Sequence, residues 1–266
     1  MTSLENDLQG KAVLITGGTM GIGLATGLAF GRLGARCIAT HRWGTADTNE
    51  VRAAFARVGA PGPLIVEADV ANREDTAQLL THIKTEHPTI EIFISNVSTA
   101  LLVGSLEDYS ARALHKSIDY SAWPIVEYTR TIKDVFGRYP RYVIGLSSGG
   151  SDEFYRNYDF VAASKAVMET LCRYMSYRLF DEDVHVNIVR ARMVKTASLR
   201  ATFGDEFLEF AEGFKLRGQF VQANDVANTI VALCSGLLDG VRGQVITVDR
   251  GAGFFDNLMR VYQESR

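Results

Sequence analysis

Seven short runs rich in β-branched and apolar residues recur along the chain, at 12–16, 37–40, 64–67, 92–95, 142–146, 184–189 and 245–248. Longer amphipathic segments separate them, near 21–33, 48–58, 72–86, 107–137, 158–180 and 224–238. Strand-length runs alternating with helix-length segments are the pattern of repeated βαβ units around a parallel sheet. The runs carry little two-residue alternation, as expected when helices cover both faces of the sheet. The pattern predicts a Rossmann-type, doubly wound α/β fold of about seven parallel strands. The breaker cluster "GAPGP" at 59–63 only joins a helix to the third strand. With no linker, repeat or low-complexity stretch, residues 1–266 read as one domain.

One connection does not fit simple alternation. Residues 190–222 are too many for a βα loop, and "FGDEFLEFAEGF" (203–214) places apolar residues at helical spacing. Ligands of doubly wound folds bind beyond the carboxyl ends of the strands. An insertion after the sixth strand is therefore expected to form a helical lid over a substrate pocket.

Composition narrows what that pocket serves. With 47% hydrophobic and 22% charged residues and a net charge of −3, the chain has no basic field to attract nucleic acid. The polar, acidic start "MTSLENDLQGK" lacks the apolar run of a signal peptide, and no stretch reaches the roughly 20 apolar residues of a membrane span. A cytoplasmic location is expected. Cys37, Cys172 and Cys234 are odd in number and widely spaced, which suits neither disulfides nor zinc. His82, His87, His115 and His185 show no metal-ligand spacing, so no metal is expected, and "DED" at 181–183 reads as a solvated loop.

The stretch "VLITGGTMGIGLATGLAF" (13–30) puts a Gly-rich turn directly after the first strand and before a helix. Gly17, Gly21 and Gly23 permit a tight turn and close approach of a pyrophosphate, whose charge then sits at the positive helix end. Asp69 and Val70 follow the third strand, where a carboxylate can meet an adenine amino group, and Asn96 ends the fourth. Each alone is commonly a cap or turn residue; together with the turn they outline a dinucleotide groove. At the end of the second strand, "CIATHRWGT" (37–45) offers His41 and Arg42 and no acid before Asp47. Positive charge there suits a 2′-phosphate, whereas a 2′-hydroxyl is usually met by an acid. NADPH is therefore expected over NADH. The alternative for Arg42 is a solvated surface charge.

These residues resemble the short-chain dehydrogenase/reductase family. The landmarks run in order from Thr16 to Gly23, through Asp69–Val70, Asn96, "GLSS" at 145–148, Lys165, and Asn187 with Thr196, to "RGQVITVDRG" at 242–251. The family's usual Tyr four residues before the Lys is Val161 here, although Ser148 keeps its place 13 residues before that position. A branch of the family, the short-chain enoyl-acyl-carrier-protein reductases, has Tyr-x6-Lys, and Tyr158 precedes Lys165 by seven. The resemblance implies NADPH-dependent reduction of a double bond conjugated to a thioester. It also implies cofactor contacts from Thr19, Ile22, Lys165, Val194 and Thr196, a substrate contact from Ser98, and a homodimer or homotetramer packed through the long helices. Tyr155, ten residues before Lys165 and about 80° off its face if the helix extended that far, is expected to line the substrate pocket.

Helix geometry permits the displaced tyrosine. Positions seven apart differ by about 20° in azimuth, and four apart by about 40°, so Tyr158 is expected on the Lys165 side, about 10 Å along the axis instead of about 6 Å. In an enoyl thioester, hydride goes to the β-carbon while charge appears on an oxygen three bonds away, which suits a hydroxyl shifted along the helix. Lys165 is expected to bind nicotinamide ribose hydroxyls and to favour the ionised phenol, Tyr158 to stabilise the enolate, and Ser148 to orient substrate or water. For Ser148 a backbone-capping role stays open.

Four departures from the family pattern accompany Val161. "SNVS" at 95–98 is bulkier than expected, Asp119 stands where an asparagine usually supports a water chain, Ala191–Arg192 replaces Pro-Gly, and Arg250 replaces Gly. Asp119 is expected to pair with Lys165 or to be displaced. Arg190 and Arg192 are expected to receive a substrate anion or to form salt bridges. Three functions follow: an enoyl thioester reductase, a ketoreductase of a specialised polyketide-like pathway, or a cofactor-binding protein without catalysis.

Overall fold

The computed structural model describes residues 8–44, 46–214 and 220–254, together with Met259 and Tyr262. Its seven strands are β1 (Ala12–Ile15), β2 (Arg36–His41), β3 (Leu64–Glu67), β4 (Ile92–Ser95), β5 (Tyr142–Ser148), β6 (His185–Ala191) and β7 (Val245–Val248). They form one sheet in the order β3-β2-β1-β4-β5-β6-β7, every neighbouring pair parallel. The helices are α1 (Gly21–Arg32), α2 (Thr48–Arg57), α3 (Arg73–Glu86), α4 (Ala111–Ser121), α5 (Pro124–Phe136), α6 (Asp159–Arg178), α7 (Ala197–Phe214) and α8 (Ala223–Leu233).

The doubly wound architecture follows from which residues the pleat sends to each face. In β1, Val13 and Ile15 join one core with Phe30, Phe55, Val226 and Ile230, while Ala12 and Leu14 join the other with Leu80, Ile83, Ile125 and Tyr128. Both faces are apolar, which explains why the strands read as near-continuous hydrophobic runs. Each buried Val, Leu or Ile side chain contributes about 1.5–3 kcal/mol. Helix starts are fixed locally: Asp47 accepts from Asn49 N and Glu50 N, and Asn72 accepts from Glu74 N and Asp75 N. Strand order reverses between β1 and β4, and the crevice beyond their carboxyl ends is where such sheets bind ligands.

Two sequence expectations change here. The segment 107–137 is two helices, α4 and α5, because Pro124 brings no N–H to the ladder and opens α5 at its first position. The insertion expected at 190–222 starts later, since Arg190 and Ala191 extend β6. Its helix begins at Ala197 and is broken at Gly204, where φ is 82° and ψ 168°. Residues 215–219 of the expected lid lie outside the described residues. No helix among the described residues is long and apolar enough to cross a membrane.

Candidate active site

The Gly-rich turn is held from below by β4. Asn96 Nδ2 donates to the carbonyls of Thr16 (2.9 Å) and Gly17 (3.1 Å), and Asn96 N donates to Thr16 Oγ1 (3.0 Å). Asn96 therefore buttresses the turn instead of offering its amide donors to a ligand. A Cβ on Gly23 would collide with the Gly17 carbonyl oxygen and stand 2.8 Å from Asn96 Nδ2, so only glycine lets α1 pack this close. Met20, the N-cap of α1, supplies no side-chain cap and the first turn has no acid, which leaves the uncapped helix end suited to a pyrophosphate. Thr19 is buried, Ile22 packs on the core, and the Thr196 methyl would lie 3.8 Å from a Cβ at Gly21. Thr196 Oγ1 itself accepts from Leu199 N at 3.2 Å, an N-terminal cap for α7. Val70 and Val194 bury their side chains in the cores, so only their backbone groups can face a ligand.

At the adenine end the charges have already found each other. Arg42 pairs with Asp69 at 2.6 Å, meets the Tyr120 hydroxyl, and lies 3.6 Å from the Trp43 ring centroid. Asp69 also accepts from Tyr120 OH (3.1 Å) and Ala71 N (3.0 Å). The carboxylate expected to meet an adenine amino group is thus engaged by Arg42, and Arg42 is a paired cation and no simple solvated charge. His41 Nδ1 is buried without a partner among the described residues. These features fit a nicotinamide dinucleotide: a close backbone cradle, an uncapped helix end, and an orphaned polar atom at the end of β2.

The other half of the site is one face of α6 laid against the end of β5. Tyr158 is the N-cap of α6, and its carbonyl accepts Ala162 N at 2.8 Å, so it opens the helical spiral without having helical dihedrals. Asn157 takes a left-handed φ of 62°, a conformation Asn tolerates better than most residues, and turns the chain into the helix. Tyr158 and Ala162 approach Gly150, whose Cβ, if present, would stand 2.6 Å and 3.6 Å from them. Lys165 Nζ donates to the Leu146 carbonyl at 2.7 Å. Glu169, one turn on, accepts from Ser147 Oγ (2.5 Å), Ser151 Oγ (2.8 Å), and Arg190 Nε (3.1 Å) and Nη2 (2.7 Å). Positions 158, 162, 165 and 169 therefore share a face, as spacings of three and four require. Val161 is buried at 1% exposure and is not a stand-in for the acid.

Burial dominates the titration of this face. It raises the Tyr158 phenol above its ordinary range, and the nearby Ser148 hydroxyl pulls it down only in part. Ser148 Oγ is buried beside the phenol and makes no hydrogen bond of regular geometry among the described residues. Burial therefore acts on the phenol in the opposite sense to the expected influence of the Lys165 charge. Burial brings the Lys165 ammonium down to about 8, opposed by the negative charge of Glu169. Burial likewise lifts Tyr155 to about 12.

The remaining residues distribute as follows. The Tyr155 hydroxyl lies against Gly149, and its ring is 5.7 Å from that of Tyr158. Phe203 of α7 stands 6.2 Å from Tyr158 and 5.1 Å from Phe207. A pocket of about 440 Å³ opens here, lined by Leu102, Phe154, Tyr155, Arg156, Asn157, Met193, Thr202, Phe203 and Phe207. Ser98 is exposed, with Oγ 3.1 Å from Ser121 Oγ. Asp119 is an exposed residue of α4, and Lys165 spends its described hydrogen bond on Leu146, so the expected pairing of the two does not form. Arg190 is taken by Glu169 and Asp152, and Arg192 by Glu153 and Asp249, so salt bridges account for both. Glu169, Tyr120 and the pair Gly149–Gly150 were not singled out in the sequence. Glu169 stands at the i,i+4 position from Lys165, which is the signal that marks it.

Residues 17–253 match the family model described as enoyl-(acyl carrier protein) reductase. The chain belongs to the short-chain dehydrogenase/reductase family. It is an oxidoreductase of the nicotinamide-dependent type, and the reading as a binding protein without catalysis falls away. Among curated relatives, the enoyl-acyl-carrier-protein reductase (NADH) FabI of Aquifex aeolicus is 26% identical over 250 residues, covering 92% of each chain. The L-xylulose reductase of Mus musculus is 26% identical over 251 residues, covering 93% of this chain and 98% of its own. A 7α-hydroxysteroid dehydrogenase structure with NADH and 7-oxo glycochenodeoxycholic acid superposes with a TM-score of 0.83 at 20% identity, covering 94% of this chain and 97% of that one. A putative NAD(P)-dependent gluconate 5-dehydrogenase from Beutenbergia cavernae gives 0.80 at 23%, covering 94% and 99%. These two structures share the fold.

Proposed function

We propose that the protein reduces the carbon–carbon double bond of an enoyl thioester with NADPH. The observation that carries this reading is the α6 face: Tyr158 at its N-cap beside Gly150 and a buried lysine at 165, with Val161 buried where a ketoreductase would place its acid. The match to the enoyl reductase model supports it further.

When bound, the cofactor supplies hydride to the substrate β-carbon. Tyr158 donates a hydrogen bond to the thioester carbonyl oxygen and stabilises the charge that grows there, a contribution of about 10²–10³-fold for one well-placed donor, and the enolate then takes a proton from solvent at its α-carbon to complete the reduction. Lys165, fixed on Leu146 O, keeps further N–H donors for ribose hydroxyls. Ser148 Oγ, buried beside the phenol, is suited to orient the carbonyl or a water. Phe203 and Phe207 of α7 exclude water from that side, the part a lid plays. His41 and Arg42 support NADPH, the 2′-phosphate joining the Arg42–Asp69 pair as a competing anion. Exposed Trp123, Tyr174 and Tyr177 suit a homodimer or homotetramer, and the setting we favour is cytoplasmic.

The L-xylulose reductase relatives, matching at the same identity, favour a ketoreductase as the second reading. NADPH oxidation followed with a trans-2-enoyl thioester and with a panel of ketones separates the two: turnover of the thioester alone supports the first, turnover of ketones alone overturns it.

A further inference from the structure

We infer that the pocket beside Tyr158 recognises a substrate whose apolar, aromatic-compatible body carries an anionic group, and that Arg156 is the residue that reads the anion. The inference rests on the reductase reading above and names the substrate class of the same site.

The wall of the pocket is unusually aromatic. Phe154, Tyr155, Phe203 and Phe207 line it with Leu102 and Met193, and among the described residues the polar side chains beside them are Arg156, Asn157 and Thr202. The rings form a series, Tyr155 to Tyr158 at 5.7 Å, Tyr158 to Phe203 at 6.2 Å and Phe203 to Phe207 at 5.1 Å, all within the range where aromatic faces and edges attract. The break at Gly204 falls between Phe203 and Phe207, so one ring comes from each arm of α7. A polyol would leave most of its hydroxyls unpaired against such a wall, whereas a planar conjugated group would stack on it.

Arg156 is the contrasting feature. It is the one charged side chain among the described residues lining the pocket, it is exposed, and it makes no hydrogen bond or ion pair among the described residues. Its neighbours differ: Arg190 is held by Glu169 and Asp152, and Arg192 by Glu153 and Asp249. Those two cations are neutralised within the fold, and Arg156 is left with its fork of donors at an apolar cavity. A guanidinium in that position binds a carboxylate or phosphate by two parallel charge-assisted bonds at little reorganisation. The anion can be a carboxylate on the substrate body or a phosphate on the arm that carries the thioester.

Three thioesters distinguish the sources: cinnamoyl-N-acetylcysteamine, which is neutral, its para-carboxy derivative, and cinnamoyl-coenzyme A. Each is assayed for kcat/KM with the wild type, Arg156→Ala and Arg156→Lys, and its affinity for protein loaded with NADP⁺ is read by calorimetry. At least one anionic compound should exceed the neutral one by about tenfold or more in the wild type, as expected for one charge-assisted contact. Arg156→Ala should erase that ratio and Arg156→Lys should restore part of it. The para-carboxy arm reports a substrate carboxylate, and the coenzyme A arm a phosphate. Equal affinities for all three compounds, or an Arg156→Ala loss of the same size for each, overturn the inference. Should no thioester be reduced, the enoyl reading fails by itself, and the calorimetric ratios still uphold or overturn the role of Arg156. The ring is tested by the crotonyl counterpart of the best compound, expected to bind about tenfold more weakly; equal binding contradicts the aromatic part.

Discussion

The ring of Tyr158 rests on Gly150 so closely that a Cβ there would stand 2.6 Å from Cδ1 and 2.9 Å from Cε1. The glycine pair after β5 thus sets the position of the phenol, since Gly149 makes the matching room for Tyr155. Gly150→Ala should displace Tyr158 and lower kcat by about tenfold or more, while the dissociation constant for NADPH moves little. Steady-state kinetics alongside fluorescence titration of the dinucleotide check this. An equal loss in both would show that the substitution disturbs the whole site.

Lys165 gives the pH dependence. Burial favours its neutral form and brings it down to about 8, so the ammonium discharges as pH rises through that value. If its charge is needed, kcat/KM should be high below about 8 and fall above it. Glu169 is the anion that opposes the shift, and Arg190 and Tyr158 are the other titratable groups on this face. Glu169→Gln removes that support, so the alkaline limb should move to lower pH. A limb that stays in place would remove Lys165 as its source.

Glu169 is buried and Arg190 partly buried, at 6% and 13% side-chain exposure, and Glu169 gathers Ser147 and Ser151 around the β5 end. Glu169→Ala leaves Arg190 with Asp152 alone and should cost about 1.5–3 kcal/mol of stability, the usual loss for a hydrogen bond to a charged group. Urea denaturation measures it, with a loss under 1 kcal/mol counting against the network.

Arg42 tests cofactor choice. Arg42→Ala should raise KM for NADPH by about tenfold or more and leave KM for NADH nearly as it was, because only the phosphorylated ribose gains from the cation. A parallel loss with both dinucleotides would mean that Arg42 serves the groove through Asp69 and Tyr120 instead.

The sheet was legible because both faces of every central strand are apolar, and the runs around Val13, Phe93 and Ile144 announce that directly. The Gly-rich turn was legible because its glycines meet backbone, as at Gly23 against Gly17. The fate of charged residues was not. Asp69 looked available for a ligand, and Arg190 and Arg192 were open to a substrate anion or to salt bridges; each found a partner from a distant part of the chain, a choice that local spacing does not encode. Tyr158 shows the boundary between the two cases. Helical spacing assigns it to the Lys165 face, yet it caps the helix instead of belonging to it, and the burial that lifts its phenol is seen only in the packed structure. The course of the chain from Ala197 to Phe214 was half legible: its helical period is in the sequence, but the break at Gly204 that brings Phe203 to Tyr158 is not.

The central claim is that Tyr158 donates to the oxygen of an enoyl thioester. Its most direct test is kcat for trans-2-enoyl thioester reduction by Tyr158→Phe against the wild type, with NADPH affinity measured on the same samples. The account predicts a fall of about 10²-fold or more with NADPH affinity within about twofold of the wild type. Turnover that survives the substitution unchanged would contradict it.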